Sequence, residues 1–341
     1  KTDKRRQRQK MRFAYEIKNG CAVVRRCYDF GNEAEIPSEI DGHPVTELGA
    51  YAFSAHMDRE QFWHELGNRT VKIWNPETGE QEVSEPDAET VPGLQGMQVE
   101  TVRLPEGLRK IGAYAFYNCN ALSELHFHSS LKDLGAGLFT GCHHLRRLNV
   151  TLDETETSCL KEILIEVPEK MAVTVEGQLR AKLLFPEFFE ESVENTPARI
   201  LMTHMHGSGM NFRNSFYMKK LDFRAYDACY YMAKAEEDFD TVLEMTLNRL
   251  QYPVGLSEDR REDYESWLNG HLVQAFEKAV EHRDLDMLMW LTEHGKPDDG
   301  LLSQTAIAAA DGFPEGVAYL QDRLSASGHT KKQSFLDRFE L

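Results

Sequence analysis

The sequence predicts an α+β protein in which a short β-rich solenoid precedes an α-helical domain. Two observations lead to this prediction. Apolar residues recur with the same spacing in residues 99–121 and 122–144, and from about residue 200 onward the apolar spacing becomes helical. A length of 341 residues allows two or three domains. Apolar residues make up 41% of the chain, which is enough to form a core and excludes a mainly disordered protein.

The internal repeat has a period of 23 residues, the offset between residues 99 and 122. Aligning the two copies places like residues together: Val99 with Leu122, Val102 with Leu125, Leu108 with Leu131, Ile111 with Leu134, Gly112 with Gly135, Phe116 with Phe139 and Cys119 with Cys142. An earlier partial copy, residues 48–53, matches residues 111–116 almost letter for letter. A leucine-based period of about 20–29 residues is typical of a solenoid, in which each turn buries its apolar face against its neighbours. Cys119 and Cys142 are therefore predicted to be core thiols.

The repeat unit reads Leu-Pro, Leu, Ile-Gly, Ala-Phe, Cys, Leu and Leu at fixed intervals: Leu104-Pro105, Leu108, Ile111-Gly112, Ala115-Phe116, Cys119, Leu122 and Leu125. This pattern resembles the BspA-type leucine-rich repeats, which are found often in gut and oral bacteria. The resemblance covers about residues 30–150, and the second copy departs from it in having Leu138 where alanine is usual. It implies a leucine-rich-repeat solenoid, and such modules mostly serve binding.

The exposed face of the predicted sheet follows from strand alternation. If the apolar residues of each strand point inward, the alternate residues point outward. The resulting candidate partner-binding residues are Thr101, Arg103, Glu124, His126, His128, Arg147 and Asn149. The resemblance implies that this is the face that grips a partner, and an ordinary solvated surface is the alternative. His126 and His128 have no third metal ligand at a recognisable spacing.

The remaining domain boundaries follow from composition and periodicity. Residues 1–10 are predicted to be a flexible basic tail, and residues 11–180 the repeat domain, with a polar insertion at 57–97. Alternating apolar residues predict a capping hairpin at 158–177, a cap that a repeat array needs over its last turn. Residues 181–235 are predicted to connect and pack the two domains, partly through the aromatic cluster at 185–189.

Residues 236–341 are predicted to be a helical, repeat-like domain. One helix runs from Phe239 to Leu250 and stops before Pro253, and Asp284 is a predicted N-cap. The last four helices read as two pairs offset by 29 residues, a layout similar to ankyrin-like or HEAT-like repeats, although the ankyrin T-P-L-H motif is missing.

Charge and cysteine usage restrict the partners and the compartment. The formal net charge is −17, and it is about −22 without the basic tail, which carries six basic groups and one acid. This argues against nucleic acid and acidic membranes as partners, so a protein partner is expected, with some preference for a basic surface. Six scattered cysteines without a C-x-x-C pair favour a reduced cytoplasm, with the cell surface or secretion as the alternative if a leader precedes Lys1.

The stretch with most catalytic character is residues 203–209, which contains His204 and His206 before a Gly-Ser-Gly loop. H-x-H spacing occurs in metal sites, and Asp222, Asp227 or His271 could supply a further ligand. No Walker, Rossmann, kinase or nucleophile-elbow motif occurs. We therefore expect a non-enzymatic protein-interaction module without a cofactor. The alternatives are a metal-dependent enzyme or regulator centred on His204 and His206, and a bacterial surface adhesin.

Overall fold

The structure, a computed structural model, describes residues 11–54, 56, 64, 71–76, 78, 79, 81, 82, 92–195 and 200–337. The chain forms two compact units, residues 1–256 and 257–341, which are described separately below. The predicted basic tail and most of the predicted insertion at 57–97 lie outside the described residues.

The first unit is built from strands that alternate between two sheets as the chain winds. Its strands up to the end of the solenoid are β1 Arg12–Lys18, β2 Cys21–Tyr28, β3 Glu33–Glu35, β4 Glu39–Ile40, β5 His43–Leu48, β6 Lys72–Trp74, β7 Gln81–Glu82, β8 Thr101–Arg103, β9 Lys110–Ile111, β10 Glu124–His128, β11 Asp133–Leu134, β12 Arg147–Leu152, β13 Met171–Gly177 and β14 Ala181–Phe185. The first sheet has the order β11-β9-β5-β2-β1-β6-β7, and the second sheet has the order β14-β13-β12-β10-β8-β3. Neighbouring solenoid strands are parallel, as expected when successive turns stack.

The chain enters the solenoid through the antiparallel β1–β2 hairpin. Its two-residue turn, Asn19-Gly20, has positive φ at both positions, 53° and 77°, which is the turn that suits the twist of paired strands. Strand β2 then pairs in parallel with β5, so the hairpin covers one end of the repeat sheet.

The core of the solenoid is a ladder of repeat-equivalent side chains. The rings of Phe53, Phe116 and Phe139 stack with centroid separations of 5.4 and 5.5 Å. The Sγ atoms of Cys119 and Cys142 donate to the carbonyl oxygens of Phe53 and Phe116, each at 3.0 Å. Burial raises the pKa of Cys119 to about 12. The prediction that both cysteines are core thiols is confirmed.

The predicted capping hairpin at 158–177 is wrong in its first half. Residues Leu160–Glu166 form a helix, α1, and the hairpin is instead β13 with β14. Leu160, Ile163, Leu164 and Val167 are buried while Ile165 is 44% exposed. This i, i+3, i+4, i+7 set is helical, although every second residue from 163 to 167 is also apolar and imitates a strand.

A buried arginine fixes the end of α1 against the rest of the cap. Arg213 lies on the short helix α2, Gly209–Arg213, and is fully buried. Its guanidinium donates to six main-chain carbonyl oxygens, those of Leu164, Val167, Pro168, Glu169, Pro186 and Gly209. Burial lowers the pKa of Arg213 to about 10. The arginine thus satisfies carbonyl groups that a helix end leaves without partners.

The rest of the first unit contains two small ribbons and three helices. These are β15 Phe189–Asn195, β16 Ile200–His206, β17 Phe216–Tyr217, β18 Lys220–Leu221, α3 Phe223–Ala228, α4 Tyr230–Glu236 and α5 Phe239–Gln251. Helix α5 matches the helix predicted there, but it packs on β14 and so belongs to the first unit. The observed division lies after Leu256, and not at the predicted boundary between residues 235 and 236. Apolar periodicity shows that a segment is helical, but it does not show which element that helix packs against.

The second unit is helical, as predicted. Its helices are α6 Glu258–Gly270, α7 Leu272–Glu281, α8 Leu285–His294, α9 Asp299–Ala309 and α10 Pro314–Asp337. Helix α7 packs on α8 and α9 on α10, while α9 also contacts α7 and α10 contacts α8, so two helix pairs stack. The Asp284 carboxylate accepts from the Met287 amide at 2.9 Å, which confirms the predicted N-cap. Within the described ranges, no helix has the length and hydropathy of a membrane span.

Candidate functional site

The parallel register brings the predicted partner-binding residues together on one face of the second sheet. We call these residues the polar sheet face: Thr101, Arg103, Glu124, His126, His128, Arg147 and Asn149. One row across the strands is Thr101, Glu124 and Arg147, and the next row is Arg103, His126 and Asn149. The apolar residues between them are buried, so alternation along each strand places the polar side chains outward.

Glu124 is the centre of the hydrogen-bonded network on this face. Its carboxylate accepts from Arg147 Nε at 3.0 Å, from Asn149 Nδ2 at 2.9 Å and from His126 Nε2 at 2.6 Å. Partial burial opposes ionisation, but the hydrogen bonds and charges of Arg147 and His126 outweigh it and lower the pKa of Glu124. The carboxylate is therefore ionised and already engaged within the protein.

His126 lies between this carboxylate and a guanidinium. The Nη1 atom of Arg103 is 2.9 Å from His126 Nδ1 and 2.7 Å from Nε2, and Nε2 is also 2.6 Å from Glu124 Oε1. Burial and then the Arg103 charge lower the pKa of His126, against the opposing effect of Glu124.

The depressed pKa of His126 predicts an acid-sensitive solenoid. The unfolded chain binds this proton at a higher pH than the folded chain does, so stability is lost as the pH falls below about 6.5. We expect the thermal midpoint to fall between pH 7 and pH 5.5, and to fall less in His126→Gln. His128→Gln, on the same strand and face, is the matched control and should retain the wild-type slope. Equal slopes in wild type and His126→Gln would contradict the assignment.

A groove follows the carboxyl ends of these strands. It has a volume of about 450 Å³ and is lined by Arg103, His126, His128 and Asn149, with Glu35 and Glu176 from the flanking strands β3 and β13. Arg103 is exposed, and within the described part of the chain it makes no ion pair with a carboxylate. The groove therefore presents the Arg103 guanidinium beside Glu35 of the neighbouring strand β3, with Glu176 on β13 three strands away.

Glu35 and Glu176 are absent from the sequence-derived set because their strands lie outside the two clear repeat copies. The signal for Glu176 is nevertheless present, since β13 alternates Met171, Val173 and Val175 inward and continues the sheet. Strand β3 is only three residues long and gives no comparable signal.

The structure places His204 and His206 on β16, which pairs with β15 in a two-stranded ribbon. The His206 ring stacks on Phe189 at 4.6 Å, and its Nε2 is 2.9 Å from Glu191 Oε2. Considering the described residues alone, no group of three His, Cys, Asp or Glu side chains is arranged to hold a metal ion.

The three further ligands proposed for that site are each engaged elsewhere. Asp222 caps α3, Asp227 forms a buried ion pair with Arg249, and His271 Nδ1 lies 2.8 Å from the Trp267 carbonyl in the second unit. Asp222 and Asp227 therefore have partners of their own within the first unit, and His271 has one within the second.

Comparison with known proteins identifies the repeat. The family described as "BspA type Leucine rich repeat region" matches residues 94–167 in six copies. No curated protein matches the chain.

Three solved structures of bacterial repeat proteins are similar over about half of the chain. A leucine-rich cell surface protein from Faecalibacterium prausnitzii A2-165 has 15% identity and a TM-score of 0.24, covering 48% of this chain and 30% of that one. A leucine-rich repeat protein from Bacteroides ovatus ATCC 8483 has 18% identity and a TM-score of 0.24, covering 48% and 36%. The T. pallidum leucine-rich repeat protein has 18% identity and a TM-score of 0.20, covering 49% and 79%. The chain thus spans about a third of the length of the first two proteins.

The matched range includes strands β8, β10 and β12, which carry the polar sheet face. The chain therefore contains a BspA-type leucine-rich repeat region, residues 94–167, followed by a helical region.

Proposed function

We propose that this chain is a non-enzymatic protein-interaction module that binds a partner protein through the polar sheet face. The observation that carries the proposal is the in-register network around Glu124, which holds Arg103, His126 and Asn149 in place before a partner arrives. Side chains fixed in this way lose little freedom on binding, so more of the contact energy becomes affinity.

The charges along the groove specify the chemistry of the partner. Arg103 offers a planar set of donors suited to a carboxylate, and Glu35 on β3 and Glu176 on β13 line the two ends of the groove. The partner is a protein segment that places an aspartate or glutamate on Arg103 and basic residues beside it. The net charge of −17 favours such a protein over nucleic acid or an acidic membrane.

Site-specific photo-crosslinking in the cells that make the protein tests this proposal. In one variant a photoreactive residue replaces Thr151, which lines the groove. In a second variant it replaces Lys161 on α1. We expect a discrete adduct from position 151 and a different or absent adduct from position 161. Arg103→Glu should abolish the adduct at position 151. Lys132→Glu reverses a charge at a residue that does not line the groove, and it should retain the adduct. An adduct at 151 that survives Arg103→Glu would refute the proposed contact.

The compartment in which that adduct is recovered is a further outcome. We propose the cytoplasm, because all six cysteines are free thiols and four of them are buried in the structure. Recovery of the adduct from the cytoplasmic fraction would agree with this. Labelling of the chain on intact cells by an impermeant reagent would instead favour the surface-adhesin alternative.

A further inference from the structure

A second candidate site lies inside the first unit, apart from the polar sheet face. It is a cavity of about 180 Å³ beside the inner face of the second sheet, where Val150, Leu152 and Val175 line one wall. The opposite wall is formed by Phe216, Leu221 and Phe223. The cavity is partly open at its rim, and it is larger than the voids that closely packed protein interiors contain.

The β17–β18 hairpin covers the cavity as a lid. Phe216 and Leu221 are a cross-strand pair whose side chains line the cavity, while Tyr217 and Met218 are 68% and 77% exposed. The turn of this hairpin is strained, because Met218 and Lys219 have positive φ values of 47° and 66° without being glycine or asparagine.

The lid is fastened at its tip by few contacts. The Lys219 carbonyl accepts from the Ser158 amide at 3.2 Å, and its Nζ lies 2.5 Å from Glu162 Oε1. Lys220 Nζ is 3.9 Å from Glu156 Oε2 at the rim of the cavity. A strained turn with exposed apolar residues and mostly surface ion pairs is a segment that can open at low cost.

Ser158 is a buried polar residue that lines the cavity, and its hydroxyl group restricts what the cavity can recognise. Ser158 is 4% exposed, and its Oγ accepts from the Leu160 amide at 3.3 Å, which leaves the hydroxyl proton available to donate. A buried hydroxyl gains from a ligand oxygen that accepts this proton. A ligand anion, in contrast, would lose its hydration among apolar side chains and face the Glu156 carboxylate.

We propose that this cavity binds a small uncharged molecule, an aromatic ring or short aliphatic chain carrying one hydroxyl or carbonyl oxygen, beneath the β17–β18 lid. The volume agrees with this size, since apolar cavities of about 150 Å³ bind benzene. The apolar walls hold the hydrocarbon part, and Ser158 binds the oxygen. This site is independent of the partner-binding proposal above.

Titration of the full chain with phenol, benzene and hexanoate tests the site. We expect saturable methyl-resonance shifts at Val150 and Val175 with phenol, weaker binding of benzene and none of hexanoate at neutral pH. Ser158→Ala should lower the affinity for phenol by about fivefold, because one hydrogen bond is worth about 1 kcal/mol. The affinity for benzene should be unchanged. Ser123→Ala, a serine that lines no part of the cavity, is the matched control.

Cavity-filling variants provide the second test. Leu179→Phe and Val254→Phe change half-buried lining positions outside the sheet strands, and either should abolish phenol and benzene binding while the chain stays folded. Either of two results would overturn the proposal. The wild-type chain could show no saturable shift, or a folded cavity-filling variant could bind phenol and benzene as tightly as the wild type. If neither variant folds, the wild-type shifts and the Ser158→Ala comparison decide.

Discussion

Gly135→Ala is expected to lower the free energy of unfolding of the first unit by about 3 kcal/mol or more. A Cβ atom at residue 135 would meet the backbone of Gly112 and Ala113 in the preceding turn at less than 3.0 Å, a distance that Cβ atoms do not reach. The obstacle is main chain, which cannot rotate away as a side chain can. Gly112 meets Ala50 in the same way one turn earlier, so the repeat keeps glycine wherever adjacent turns make this close approach.

Gly107→Ala is the matched control for this prediction. Its Cβ would lie 3.5 Å from the Val45 carbonyl oxygen, an ordinary contact, and its φ is not in the left-handed region. Denaturant unfolding followed by far-UV circular dichroism measures both variants. A Gly135→Ala protein as stable as Gly107→Ala would show that the turns can separate without cost.

The second large effect is expected at the buried ion pair between α3 and α5. Arg249 Nε and Nη2 donate to the two carboxylate oxygens of Asp227 at 2.7 and 2.9 Å, and both side chains are at most 1% exposed. Arg249 also donates to the carbonyls of Tyr252 and Val254, which fixes the chain after α5. Asp227→Ala should lower the free energy of unfolding by about 3–5 kcal/mol, because it leaves a guanidinium buried without its counter-charge.

Two further variants show whether the lost counter-charge is the cause. The double variant Asp227→Leu with Arg249→Met removes both charges and should recover much of the stability. Asp133→Asn, which removes the exposed partner of Lys110 at 3.5 Å, should change the free energy of unfolding by less than about 1 kcal/mol. If Asp227→Ala and Asp133→Asn had equal effects, the pair would not stabilise the fold.

The solenoid could be predicted from sequence because its constraints repeat. Phe116 and Phe139, or Cys119 and Cys142, occupy equivalent positions in stacked turns, so each observation is made twice and the coincidence is unlikely by chance. The cap has no such redundancy. Residues 160–167 fit both a strand and a helix by apolar spacing, and only packing on α2 through Arg213 selects the helix.

The candidate site was predicted as a face but not as a network. Alternation places Arg103, Glu124 and His126 outward, yet the contacts between them depend on strand register and on rotamers. Whether Glu35 and Glu176 belong to the site depends on which strands flank the repeat strands, and strand order is a property of the tertiary structure. The buried arginines Arg213 and Arg249 have no sequence signal, because isolated arginines are ordinarily surface residues.

The cysteine and phenylalanine ladder also bears on how such a chain changes over evolution. Each Sγ donates to a carbonyl of the turn before it, and each ring stacks on the ring one turn away, so each of these contacts joins a turn to its immediate neighbour. Loss or duplication of one 23-residue period would join equivalent positions and restore the same bonds. The number of side chains on the polar sheet face can therefore grow or shrink by whole turns through recombination, while α1 continues to close the last one.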